Sequence, residues 1–165
     1  MKSLVIAAAL CASLAAPHAH AAAAPAAAPA APAFSLPTPH GTVALDSLRG
    51  HVALVDFWAS WCEPCRHSFP WMADVQKRYA DKGLRIVAIN LDKDRDAANA
   101  FLAKFDVPFT VAFDPAGKAA EAFKVKGMPS TYLIDASGHV LLAHIGFDAK
   151  RAATLEAALR QAYGS

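Results

Sequence analysis

Two cysteines separated by two residues, Cys62-Glu63-Pro64-Cys65, follow an apolar run from Val52 to Trp58 and precede a segment of helical periodicity. Thiols at that spacing can close a small disulfide. At a strand-to-helix turn the first can lie at the helix start, where unpaired backbone N–H groups favour a thiolate. Such a pair can carry out reversible dithiol–disulfide exchange. A structural crosslink is the plainer alternative, but so short a loop constrains the unfolded chain little. A metal pair is another, yet the sequence holds no second cysteine pair to complete a zinc site.

The third cysteine, Cys11, lies within the apolar stretch Leu4 to Ala16, which follows Met1-Lys2-Ser3 and precedes small residues at Ala19 and Ala21. A short positive start, an apolar stretch of roughly 13 residues and small residues at a cleavage site describe an export signal. Residues 1–21 are therefore expected to be a signal peptide cleaved near Ala21, with a periplasmic product. An uncleaved membrane anchor is the alternative, although a spanning helix needs about 20 strongly apolar residues. Leu10, next to Cys11, stands where a lipoprotein signal wants a small residue.

The chain has 165 residues and a formal net charge of +2. That balance, without a basic stripe or a run of like charge, suggests no nucleic-acid partner. Much of the 55% hydrophobic content is alanine crowded into the first 33 positions. Residues 22–33 are Ala/Pro-rich with nothing bulky to bury, so a disordered linker is expected there, followed by one domain over 34–165.

That domain alternates strand and helix patterns. A hairpin around Gly41-Thr42-Val43 leads to a buried strand over 51–58. Phe69, Met72, Val75 and Tyr79 then mark a helix closed by Gly83, and Leu84 to Leu91 supplies a second buried strand parallel to the first. A helix over Asp94 to Phe105 and a strand over Phe109 to Phe113 come next, then a short helix over Ala119 to Phe123. A hairpin of Thr131–Ile134 with Val140–Ile145 and a helix over 148–163 complete the chain.

Val55 to Cys65, taken with Gly127-Met-Pro-Ser-Thr-Tyr-Leu-Ile-Asp135, resembles the thioredoxin superfamily. The signal sequence, the N-terminal hairpin and the extra helix and strand at about 94–113 are similar to its exported TlpA/ResA-like thiol-disulfide oxidoreductases. The resemblance implies an α/β thioredoxin-like fold: a mixed central sheet flanked by helices, with an N-terminal β-hairpin and a central helix-strand insertion. It also implies a redox-active Cys62-Cys65 disulfide, no cofactor, a cis Pro129, and backbone groups at Met128 that pair with a substrate strand.

Within that frame Cys62 is the nucleophile, with the less covered sulfur, and Cys65 resolves the mixed disulfide. Pro64 stiffens the loop, and Trp61 offers a flat apolar shelf beside the sulfur. Glu63 places a negative charge near the thiolate, opposing the helix dipole and favouring a reductase. Asp56 matches thioredoxin's buried aspartate; among Val55, Phe57 and Trp58 its pKa should rise, suiting it to take the proton from Cys65. Thioredoxin's neighbouring lysine is missing, since the matching strand reads Val87-Ala-Ile-Asn-Leu91. Ser68 stands where many ResA-like chains carry glutamate.

The expected protein is thus a monomeric periplasmic reductase of disulfide-bearing proteins, cytochrome c maturation targets among the open possibilities, kept reduced by a membrane thiol reductant of the DsbD/CcdA kind. Two rivals stand beside it. One is a copper-binding or copper-site assembly protein using Cys62, Cys65 and His67, because soft thiolates suit Cu(I). The other is a disulfide-forming oxidant, because a CxxC pair runs in either direction. A peroxidase on the same fold would want proline and threonine before its cysteine, where this chain has Trp58 to Trp61.

Overall fold

The computed structural model describes residues 28–164. The expected signal peptide and linker residues 22–27 lie outside the described residues. β1 (Ser35–Thr38) and β2 (Gly41–Ala44) form the expected hairpin as a separate antiparallel sheet. The main sheet has five strands in the order β5-β4-β3-β6-β7: β3 (Ala53–Trp58), β4 (Arg85–Asn90), β5 (Thr110–Phe113), β6 (Ser130–Ile134) and β7 (Val140–Ile145). β3, β4 and β5 run parallel, while β6 is antiparallel to β3 and β7 to β6. The helices are α1 (Cys65–Tyr79), α2 (Arg95–Leu102), α3 (Lys118–Ala122) and α4 (Ala149–Ala162). Among the described residues no helix is long and apolar enough to cross a membrane.

β3 is central because every one of its six residues is buried, as a strand covered on both faces requires. Side-chain alternation splits it between two cores. Leu54 and Trp58 join Cys65, Phe69 and Met72 of α1, Phe101 of α2, and Leu155 and Leu159 of α4. Ala53, Val55 and Phe57 join the hairpin residues Leu36 and Val43 with Phe123 beyond α3. Asp56 lies between Leu54 and Trp58 and so projects to the α1 face. Phe69 fixes α1 there, its ring 4.8 Å from Trp58 and 5.0 Å from Phe101, both edge-on. Such ring pairs contribute about 1 kcal/mol each beyond the burial itself. Gly83, with φ of 81°, reverses the chain after α1 in the left-handed conformation that glycine adopts without steric cost.

Two expectations need correction. The helix expected over 94–105 begins on time, with Asp94 accepting from the Asp96 N–H, but ends at Leu102. Phe105 still packs on Phe69, 5.6 Å away, from a turn. The chain tightens into i→i−3 turns there, the Lys104 N–H donating to the Phe101 carbonyl at 3.1 Å and the Phe105 N–H to the Leu102 carbonyl at 3.0 Å. The linker expected over 22–33 is already ordered at its end. Ala30 bridges His139, the Val140 N–H donates to the Pro29 carbonyl at 2.8 Å and the Ala31 N–H to the Gly138 carbonyl at 2.9 Å. Backbone pairing needs no bulky side chain, and β7 is an edge strand with open backbone groups.

Candidate active site

The Cys62–Cys65 disulfide sits beyond the C-terminal end of β3, with an S–S length of 2.04 Å and Cα atoms 5.3 Å apart. The approach is a tight turn in which the Cys62 N–H donates to the Ala59 carbonyl at 3.1 Å. A second turn spans the motif, the Cys65 N–H donating to the Cys62 carbonyl at 3.2 Å, and α1 proper starts at Cys65. Cys62 therefore precedes the helix by one turn. Cys65 is fully buried and Cys62 is 4% exposed, so the expected order of cover holds by a small margin. The buried Ser68 hydroxyl donates to the Cys65 carbonyl at 3.2 Å. Further along, Pro70 lacks the N–H that would bond the Arg66 carbonyl.

A compact network not foreseen from the sequence anchors this turn. Asp92, just past β4, accepts from the Ser60 N–H at 2.8 Å and the Ser60 hydroxyl at 3.0 Å. The Asn90 amide donates to the same carboxylate at 2.7 Å, and Asn90 Oδ1 accepts from the Asp92 N–H at 3.1 Å. Asn90 and Asp92 are both buried, so removing the carboxylate strands three donors. Asp92→Ala is expected to lower stability by about 1–3 kcal/mol, read as a lower urea midpoint with an unchanged slope. An unchanged midpoint would show that the network does not hold the turn.

Asp56, on β3 and facing the α1 side, is fully buried. Its Oδ1 accepts from the Thr131 hydroxyl at 2.6 Å, while Oδ2 has no hydrogen-bond partner among the described residues. Burial pushes the carboxyl up from 3.8 to about 7, partly opposed by the Thr131 hydrogen bond, which favours the ionised form. The rise expected from its apolar neighbours is present. Across β4 the residue opposite Asp56 is Ala88, so no lysine faces it from that strand.

Cys62 opens onto a groove of about 540 Å³. Trp61, Glu63 and Pro64, Leu91 and Ala120, and Val125 to Met128 contribute to its lining. Trp61 is 71% exposed and lines the groove with Cys62. The Met128–Pro129 bond is cis, and the Ser130 hydroxyl donates to the Gly127 carbonyl at 2.6 Å, holding the groove loop to the start of β6. Glu63 differs from expectation in one respect. Its carboxylate lies 3.0 Å from Arg66 Nε, so much of the charge meant to oppose the helix dipole is matched locally. The Arg66 guanidinium is held in turn over Phe101, 5.5 Å from the ring centroid.

The site thus brings Cys62, Cys65 and Asp56 to one end of the sheet, with Trp61, Glu63, Pro64 and Met128 around the groove and Pro129 joined to Met128 by the cis bond. It does not bring in His67, which is exposed on α1. Among the described residues no three His, Cys, Asp or Glu side chains form a metal-holding group, so the copper reading gains no ligand set. Thr131 and the Ser60–Asp92–Asn90 network are the functional neighbours that sequence reasoning missed. Thr131 lies two residues past Pro129, but only strand register shows that it faces Asp56.

Fold and site together define a thioredoxin-like redox domain with a CxxC disulfide. Residues 25–159 match the Redoxin family, and the chain belongs to it. It is 36% identical to the thiol-disulfide oxidoreductase ResA of Oceanobacillus iheyensis over 60% of this chain and 52% of that protein. The chain therefore spans about half the length of that relative. It is 38% identical to the thioredoxin-like protein YneN of Bacillus subtilis over 73% of this chain and 72% of that one. A solved Chlorobium tepidum structure, described as a candidate thiol:disulfide interchange protein DsbE, superposes with a TM-score of 0.80 at 47% identity. That match covers 82% of this chain and 96% of the other.

Proposed function

We propose that the protein is a thiol-disulfide oxidoreductase that reduces disulfides in exported proteins. The observation that carries this reading is the unequal setting of the two sulfurs: Cys62 lines an open groove while Cys65 is sealed into the core on the face that also receives Asp56. A substrate segment entering the groove meets Cys62 and not Cys65.

In the reductive direction the Cys62 thiolate attacks a substrate disulfide and the first substrate thiolate leaves, giving a mixed disulfide at Cys62. Asp56 takes the Cys65 proton, the Cys65 thiolate attacks Cys62 Sγ, and the second substrate thiolate departs as the Cys62–Cys65 disulfide closes. Two electrons pass from the dithiol to the substrate. The Met128 backbone beside the groove provides the edge on which an extended substrate segment aligns. A membrane thiol reductant then restores the dithiol outside the cytoplasm, in keeping with the N-terminal export pattern.

The ionisable group buried on the α1 side of the sheet supports this direction. A strong oxidant owes its potential to a stabilised reduced thiolate. Here the buried group on that side is a carboxyl, which, once ionised, opposes a thiolate instead of supporting it. Equilibration with glutathione buffers is therefore expected to give a reduction potential well below the DsbA value of about −120 mV. A value near that figure would make the protein an oxidant.

A further inference from the structure

We propose that Thr131 is a positioning residue for the thiol chemistry: its hydroxyl holds Asp56 Oδ1 and so leaves Oδ2 as the atom that takes the proton from Cys65. The proposal deepens the thiol-disulfide exchange reading above and rests on it.

The geometry is specific. Asp56 and Thr131 are direct partners across the antiparallel β3–β6 ladder, both buried, with the hydroxyl 2.6 Å from Oδ1. A threonine hydroxyl has one proton to donate, and this one goes to the carboxylate. Oδ1 therefore already accepts a hydrogen bond, which makes it less basic than an oxygen with no donor. Oδ2 is equally buried and has no partner among the described residues. It is the basic atom left when Cys65 must lose its proton. Thr131 also ties the base to the groove, because the strand that carries the hydroxyl begins one residue after Pro129.

Few other groups compete for this role. β4 presents Ala88 opposite Asp56, and α4 presents Leu155 and Leu159 to the same core. α1 supplies Cys65 itself. β7 supplies His144, the cross-strand partner of Thr131 and half-buried on the sheet edge. The titratable groups on this face near the base are thus Cys62, Cys65 and His144.

The proton step balances. The Cys65 S–H proton moves to Asp56 Oδ2 as the new S–S bond forms at Cys62. The bond from Cys62 to the substrate breaks, and its electron pair leaves on the substrate thiolate.

The test is single-turnover reduction of insulin disulfides by the stoichiometrically reduced protein from about pH 5 to about pH 9. The native rate is expected to climb through an inflection near the Asp56 pKa of about 7. Thr131→Val removes the hydroxyl at similar volume and is expected to move that inflection upward by about one to two pH units. At pH 7 the loss is then about fivefold to fiftyfold, closing at the alkaline end. Thr131→Ser is expected to restore the native profile, and His144→Asn to leave the inflection where it is. A Thr131→Val profile that superimposes on the native one overturns the proposal, as does a shift that Thr131→Ser fails to reverse. Loss of the inflection in His144→Asn would transfer the titration to that histidine and also overturn it. Should Thr131→Val not fold, the infrared carboxyl titration of Asp56 in Thr131→Ser and Thr131→Ala decides: a higher pKa in alanine alone supports the proposal, and equal values refute it. Failure of the underlying reading looks different, because Cys62→Ser would then reduce insulin as fast as the native chain.

Discussion

Asp56→Asn is expected to stabilise the disulfide form by about 2–4 kcal/mol at pH 8 while slowing insulin reduction at pH 7 on the order of 100-fold. The two effects share one cause. Burial lifts the carboxyl from 3.8 to about 7, so the folded chain binds this proton more tightly than the unfolded chain does. Stability from the protonated carboxyl is complete below about pH 4 and is lost as pH rises through about 7, where the group must ionise inside the core. Asparagine keeps an oxygen for the Thr131 hydroxyl and carries no charge, so it escapes that loss. The two proteins should therefore unfold at similar urea concentrations near pH 4 and diverge as pH rises to about 7, with the difference levelling off by about pH 8. A difference that does not vary with pH would show that Asp56 is not the titrating group. The slower reduction follows because Cys65 loses its base, with general-base contributions usually 100-fold or larger.

The second large effect concerns the cysteines. Cys62→Ser is expected to abolish insulin reduction, since the remaining thiol, Cys65, is sealed in the core. Cys65→Ser is expected to abolish turnover by a different route: Cys62 still attacks, no resolving thiolate follows, and a mixed disulfide accumulates in one-to-one proportion with enzyme. Non-reducing electrophoresis separates the two outcomes. Turnover retained by either variant would show that the pair does not act as attacker and resolver.

Much of this was legible from residue order because the relevant signals are local. A short, nearly all-apolar run bounded by turn residues reads as a strand covered on both faces, and β3 is one. The motif at its end, the helix closed by Gly83 and the apolar setting of Asp56 all lie within short windows of sequence. The cis bond before Pro129 came through family resemblance, not from its neighbours. What escaped is non-local. Thr131 meets Asp56 across 75 positions through the β3–β6 register, and Ser60 meets Asp92 across 32 through the β3–β4 connection. No periodicity encodes either pairing. Glu63 was read as an isolated charge because the turn that brings Arg66 beside it is a matter of geometry. Pro29 to Ala31 looked inert because their composition is poor, whereas their pairing with the β7 edge uses the backbone alone.

The central claim is that Cys62 meets the substrate and Cys65 releases it. The most direct measurement is to mix reduced Cys65→Ser with insulin, quench in acid, digest, and identify by mass spectrometry which sulfur carries the insulin cysteine, with Cys62→Ser treated in parallel. The account predicts an adduct joined through Cys62 and no comparable product from Cys62→Ser. Equally rapid adduct formation through Cys65 in the Cys62→Ser protein would contradict it.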